Sequence, residues 1–164
     1  MDIYTKYGPA VMRKCVRMLG TVQDAEDIVQ SLFIDLIKKK KTDVDLPYLY
    51  KASTNRCLNH IRNRKKRFTL LASRGAEITP YEGPRSDELH VTRDLLNKLV
   101  TMLDKKSQEI LVYRFYDDMT QEEIASLTGY SRKTIGKKLT KIKESAQLMM
   151  ENYPNEKIGK GGTL

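Results

Sequence analysis

The stretch from Met119 to Lys143 constrains the fold most: M-T-Q-E-E-I-A-S-L-T-G-Y-S-R-K-T-I-G-K-K-L-T-K-I-K. Two short helices can be placed in it from their start signals alone. Thr120 is followed three residues later by Glu123, a capping box in which each side chain satisfies a backbone N–H at the other's end of the first turn. Ser131 is a second cap, with Gly129 just before it as a residue that readily leaves the helix. Ile124, Leu127, Ile135, Leu139 and Ile142 recur at helical spacing and can close on one small core. Ala125 supplies the small side chain that two crossing helices need. The pattern is a helix-turn-helix. Thr128 departs from the aliphatic residue common before such a turn glycine, and Leu127 beside it can fill that space. The second helix carries Arg132, Lys133, Lys137, Lys138, Lys141 and Lys143, with no acid until Glu144. The bland reading is a basic, solvated helix face. A sharp turn between two capped helices, with the cations on the second, favours contact with duplex DNA.

Composition agrees. The chain has 164 residues, enough for one ordinary domain or two small ones, and a formal charge of +9, which calls for an anionic partner. Cys15 and Cys57 are too few and too far apart in sequence for a disulfide framework, which points to a reducing compartment. No leader and no run of about 18 apolar residues is visible, so the cytoplasm is expected and membrane insertion is not. Strand-like alternation is nearly absent, and the expected class is all-α.

Taken in order, Tyr4, Tyr7, Val11, Cys15, Met18 and Leu19 form one helical stripe, ended by Gly20. Asp24 to Ile37 follows, with Ala25, Ile28, Val29, Leu32, Phe33, Leu36 and Ile37 as a broad apolar face. Asp24, Glu26 and Asp27 sit at its N-terminal end and Lys38 to Lys41 at the other, as the helix dipole favours. That stabilising role and a partner-binding role are both open to these charges. Pro47 suits the first turn of a third helix, running from about Tyr48 into Arg62-Asn63-Arg64-Lys65-Lys66-Arg67. Its inner face is Leu49, Ser53, Cys57 and Ile61. Tyr48, Tyr50, Lys51, Asn55, Arg56 and Asn59 lie outside or at its edge, an aromatic, amide and cation mixture suited to single-stranded nucleic acid. Half-buried tyrosines with wet hydroxyls are the competing reading. Gly75, Pro80, Gly83 and Pro84 interrupt residues 68–88, which read as a flexible linker and a domain boundary. Leu89, Leu95, Leu96, Leu99 and Leu103 begin a second helical unit at 89–151, with Ile110, Leu111 and Phe115 on the next helix. Residues 152–164 read as a disordered tail.

Catalytic patterns are missing. Cys57 and His60, one helical turn apart, are at most half of a metal site. No phosphate loop follows a strand, and no nucleophile is paired with a base. The reading is a binding protein that uses no cofactor or metal, not an enzyme.

Three segments together, D-A-E-D-I-V-Q (24–30), Y-L-Y-K-A-S-T-N-R-C-L-N-H-I-R (48–62) and Q-E-E-I-A-S-L-T-G-Y-S-R-K-T-I-G-K-K-L (121–139), resemble a bacterial RNA polymerase sigma factor of the small, two-domain extracytoplasmic-function type, within the sigma-70 family. The resemblance covers roughly residues 4–67 and 89–148. It implies a region 2 helical domain at 1–67 and a region 4 helix-turn-helix domain at 89–151. By position it makes Asp24, Asp27 and Gln30 candidate contacts to the clamp helices of the polymerase largest subunit. Tyr48, Lys51, Asn55, Arg62 and Arg64 match the surface for the melted −10 element. The loop Lys41 to Leu46 matches the place where a flipped base is captured. Arg132, Lys133, Thr134, Lys137 and Lys138 match the helix that reads the −35 duplex. Tyr48 stands where the family usually has tryptophan, and Pro47 replaces a longer polar approach. The implied partners are core RNA polymerase, promoter DNA and an anti-sigma factor, and the implied location is the nucleoid. Two alternatives stay open: a stand-alone helix-turn-helix regulator, and a sigma-like decoy that binds an anti-sigma protein.

Overall fold

The computed structural model describes residues 2–75 and 97–152, and among these all regular structure is helical. Helix α1 spans Ile3–Leu19, α2 Val22–Lys38 and α3 Leu46–Ser73. A helical segment at 97–102, α4, precedes α5 (Lys105–Phe115), α6 (Gln121–Thr128) and α7 (Arg132–Glu151). The all-α expectation holds. The rest of the expected linker, Leu89, Leu95 and Leu96, and the expected tail beyond Asn152 lie outside the described residues.

Short side chains next to the backbone set the helix starts. Thr21, Asp45, Asp104, Thr120 and Ser131 each accept a backbone N–H three residues on, replacing one of the donors a helix start leaves orphaned. Pro47 lies in the first turn of α3, where no donor is needed. At Thr120 the box is complete: Glu123 N–H reaches the Thr120 hydroxyl at 3.2 Å and the Glu123 carboxylate accepts the Thr120 N–H at 2.7 Å. The turn between α6 and α7 needs a left-handed residue, and Gly129 supplies it at φ 76°, its N–H returning to the Ala125 carbonyl. Thr128 has its own task there. Its hydroxyl donates to the Ile124 carbonyl at 2.7 Å and accepts the Tyr130 N–H at 3.2 Å.

Helices α1, α2 and α3 pack around Val11, Cys15, Ala25, Val29, Leu32, Leu49 and Cys57. The two cysteines are free thiols in contact with each other inside this core. A second core gathers Leu99, Ile110, Leu111, Ile124, Ile135 and Ile142 from α4, α5, α6 and α7. Buried Gln108 joins α4 to α5, its amide donating to the carbonyls of Val100 (2.7 Å) and Leu103 (3.0 Å).

Three expectations from the hydrophobic pattern need correction. Ile37, placed on the inner face of α2, is 75% exposed, because it lies one step past Leu36 at the edge of the stripe. Phe115 is 47% exposed, while Tyr113 of the same helix is fully buried, because α5 has a second neighbour on that side. Helix α3 runs on through Ser73 into the stretch expected to be linker, since nothing breaks it before Gly75 at φ 71°.

That second neighbour is α3, and the two helical units are in contact. The Lys14 ammonium of α1 pairs with the Asp117 carboxylate after α5, both side chains almost wholly buried (4% and 2% exposed). The ammonium lies 4.7 Å from the Tyr50 ring centroid and 5.6 Å from that of Tyr113, within cation–π range. Arg17 stands over Tyr116 at 5.9 Å, and the Lys51 ammonium donates to the Leu127 carbonyl at 3.2 Å. Thr54 Oγ1 and Tyr113 OH lie side by side without a well-formed hydrogen bond, an arrangement that costs about 1–3 kcal/mol per unsatisfied group. Burial holds Lys14 below its ordinary pKa although Asp117 pulls the other way, and burial holds Asp117 above its own although Lys14 opposes it. Both shifts say that desolvation outweighs the attraction at this seam.

Two variants probe the C-terminal unit. Replacing Thr120 by alanine removes the capping hydroxyl and should cost about 1 kcal/mol in denaturant unfolding. Asp104 carries a pH dependence. Its hydrogen bond from Lys138, aided by the Ser107 N–H and hydroxyl, holds the carboxyl well below the ordinary carboxylate range. A depressed carboxyl contributes fully above its unfolded pKa of about 4 and loses that contribution as pH falls below it. Asp104→Asn keeps a good cap and removes the charge, so urea midpoints should drop less between pH 5 and pH 2 in this variant than in the parent chain.

Candidate nucleic-acid interface

Helix α7 is held from behind and open in front. Ile135, Leu139 and Ile142 anchor its inner face. Lys133, Lys137 and Lys141, at successive four-residue steps, form an exposed outer row. The other sequence-derived positions are tied locally. Arg132 pairs with Glu122 at 3.0 Å, both well exposed. Thr134 shares a hydrogen bond with Ser131 at 2.9 Å. Lys138 is half-buried and pairs with Asp104 at 2.7 Å. The row is a protruding, capped, cationic helix of the width that a major groove admits.

On α3, at 100° per residue, Tyr48, Lys51, Asn55, Asn59, Arg62 and Lys66 fall within a sector roughly 80° wide. Arg64 lies about 160° from Tyr48 on the same reckoning and is not part of this stripe. Lys66 is, and so is Asn59; counting residues around the helix, and not reading the basic run as a block, is the signal that separates them. Tyr48 is 38% exposed, with the Lys41 ammonium 5.3 Å from its ring centroid. Asn55 is half-buried. Arg62 folds back on its own helix, donating to the Leu58 carbonyl (3.2 Å) and to Asn59 Oδ1 (2.6 Å). Arg56 bridges to α2, at 2.5 Å from Asp35 and 3.2 Å from Ser31. The stripe offers one ring, two amides and three cations, with Lys51 at the edge that touches α6.

Of the three candidates on α2, Asp24 is engaged within its own unit. Its backbone N–H and its carboxylate both bond the Thr21 hydroxyl, and His60 Nε2 lies 3.6 Å away. Asp27 and Gln30 point outward. Two exposed aliphatics continue their line: Ile34 is 48% exposed and Ile37 75%. Positions 27, 30, 34 and 37 repeat at three, four and three residues, the spacing by which one helix meshes with others in a coiled coil. Hydrophobic periodicity does not disclose this row, because Ile37 falls beside the core stripe and Ile34 follows directly on the buried pair Leu32 and Phe33.

Among the described residues no helix is long and apolar enough to cross a membrane. In the same residues no three His, Cys, Asp or Glu side chains gather as a metal site would require.

Known proteins match the same two units. The family pattern described as Sigma-70 region 2 matches residues 3–67, and the one described as Sigma-70, region 4 matches residues 93–145. The ECF RNA polymerase sigma factor SigW of Bacillus subtilis (strain 168) is 26% identical over 170 residues, covering 92% of this chain and 88% of that one. Among solved structures, the sigma factor RpoE in complex with the anti-sigma factor NepR from Bartonella quintana superposes with a TM-score of 0.56 at 17% identity, over 92% of this chain and 96% of that one. That likeness is one of fold. Region 2 over α1 to α3, region 4 over α5 to α7 and a relative matched nearly end to end place this chain in the sigma-70 family, as a sigma factor of the extracytoplasmic-function type.

Proposed function

We propose that this chain binds core RNA polymerase and directs it to promoters, reading the −35 element as duplex with α7 and holding the melted −10 strand on α3. The single observation that carries the reading is the division of chemistry between two units. One exposes a purely cationic row on a helix that fits a groove, and the other an aromatic, amide and cation stripe. Duplex needs the first, and unstacked bases need the second. Trapping a flipped base offsets part of the few kcal/mol needed to unstack it. No bond is made or broken by this chain in such a role, so it is a specificity subunit and not an enzyme. The row Asp27, Gln30, Ile34 and Ile37 is the proposed contact to a helical hairpin of the polymerase, the clamp helices of its largest subunit. An anti-sigma factor is a proposed regulator by kinship. A stand-alone regulator that used α7 alone would leave the α2 row and the α3 stripe without a purpose.

The two surfaces can be separated. Replacing Lys133 and Lys137 with alanine should reduce the slope of log affinity against log salt for −35 duplex by about 0.9 for each phosphate no longer neutralised; an unchanged slope would remove α7 from the interface. Ile34→Asp introduces a charge on an exposed position, so the fold should survive. It should weaken association with core polymerase tenfold or more, about 1.4 kcal/mol, with −35 duplex affinity unaffected. Equal loss of both activities would point to an unfolded unit and not to a contact.

A further inference from the structure

The core of α1, α2 and α3 holds a pair of nucleophiles that the reading above does not use. The chain has two cysteines, and the fold brings both to one place. Cys15 lies on the buried stripe of α1 with Val11 and Met18, Cys57 on the inner face of α3 with Leu49 and Ser53, and both thiols are 0% exposed. These two faces pack together, and the thiols meet there with the Lys14 ammonium near both. We propose that Cys15 and Cys57 are a redox latch: a hydroperoxide joins them in a disulfide that ties α1 to α3 and keeps the N-terminal unit folded under conditions that unfold the reduced chain. The latch does not depend on the proposed function.

The two sulfurs have different tasks. The Cys57 thiol donates towards Cys15, and that contact, helped by the Lys14 ammonium, holds the Cys15 thiol below its ordinary pKa against the opposing burial. The same contact, and burial, push the Cys57 thiol up. Cys15 is therefore the first nucleophile. Its sulfur attacks one peroxide oxygen, the O–O bond breaks, and the departing hydroxide takes the Cys15 proton and leaves as water. The Cys57 sulfur then attacks the sulfur of the Cys15 sulfenic acid. The S–O bond breaks, and this hydroxide takes the Cys57 proton as a second water. The two thiols together lose two electrons, and the peroxide gains them. The product is neutral, which suits a dry core better than a lasting thiolate would.

Burial selects the oxidant. Hydrogen peroxide is little larger than water and passes through small openings of the core, whereas a bulky thiol reagent needs a wider one. No third thiol in the chain competes for the sulfenic acid. The disulfide closes a loop of roughly 40 residues, and that restricts the unfolded chain far more than the folded one.

The test treats the full chain with hydrogen peroxide in the absence of denaturant and digests it without reductant. Mass spectrometry should find the Cys15 and Cys57 peptides of one monomer linked, with the loss of two hydrogens. The thermal midpoint of the oxidised chain should exceed that of the reduced chain by about 5 °C or more, and dithiothreitol should return it. Cys57→Ala should leave Cys15 as a sulfenic acid that dimedone traps, and Cys15→Ala should give at least about tenfold less adduct at Cys57. Linked peptides that are absent, that form only in urea or that come only from disulfide dimers would overturn the latch. An oxidised midpoint equal to or below the reduced one would also overturn it. Equal dimedone labelling of the two variants would overturn the assignment of Cys15 as the first nucleophile. If an alanine variant loses helix content, the parent chain decides alone.

Discussion

Most helices in a unit of three or four can bury one side only, and the other side is left for solvent or for a partner. That constraint shapes this chain throughout. Its two cores are small, each closed by a handful of fully buried aliphatics such as Val11, Leu49, Ile124 and Ile135. Each therefore leaves long helix faces uncovered, and those faces differ in chemistry. Helix α7 turns out a row of lysines, α3 a mixture of ring, amide and cation, and α2 a line that ends in two bare isoleucines. Large single cores would have absorbed these surfaces. Two small ones present them.

Charge meets burial at one place above all. Lys14 and Asp117 stand 103 residues apart in sequence and nearly dry in the structure. A buried ion pair contributes little net stability, because solvating each ion separately is nearly as favourable as pairing them. It does impose specificity, since any register but one leaves a charge stranded.

The parts legible in the sequence are those encoded within a few residues. The capping box at Thr120, the cap at Ser131 and the left-handed Gly129 are local, and the helix-turn-helix follows from them with no knowledge of the rest. Periodicity locates the stripes of α1, α2 and α3 but not their edges. Ile37 follows Leu36 by one step and so passes for core, although at 75% exposure it belongs with Asp27, Gln30 and Ile34. The end of α3 is hidden for the opposite reason. Its last turns are exposed, Phe68, Leu70 and Leu71 included, so no buried stripe marks them. The seam is not legible at all. A lysine, an aspartate and two tyrosines in an amphipathic chain look like ordinary surface, and only the folded arrangement brings them together. Tyr113, which periodicity passes over in favour of Phe115, is buried for that reason.

The division of labour between a duplex-reading helix and an opened-strand stripe is tested most directly by run-off transcription. Purified core polymerase would be given a library of genomic fragments with and without this protein, and the starts mapped. A small set of discrete starts that needs the protein, each preceded at a constant distance by two shared sequence elements, is the expected result. Starts that are equally abundant without it, or that share only one element, would contradict the account.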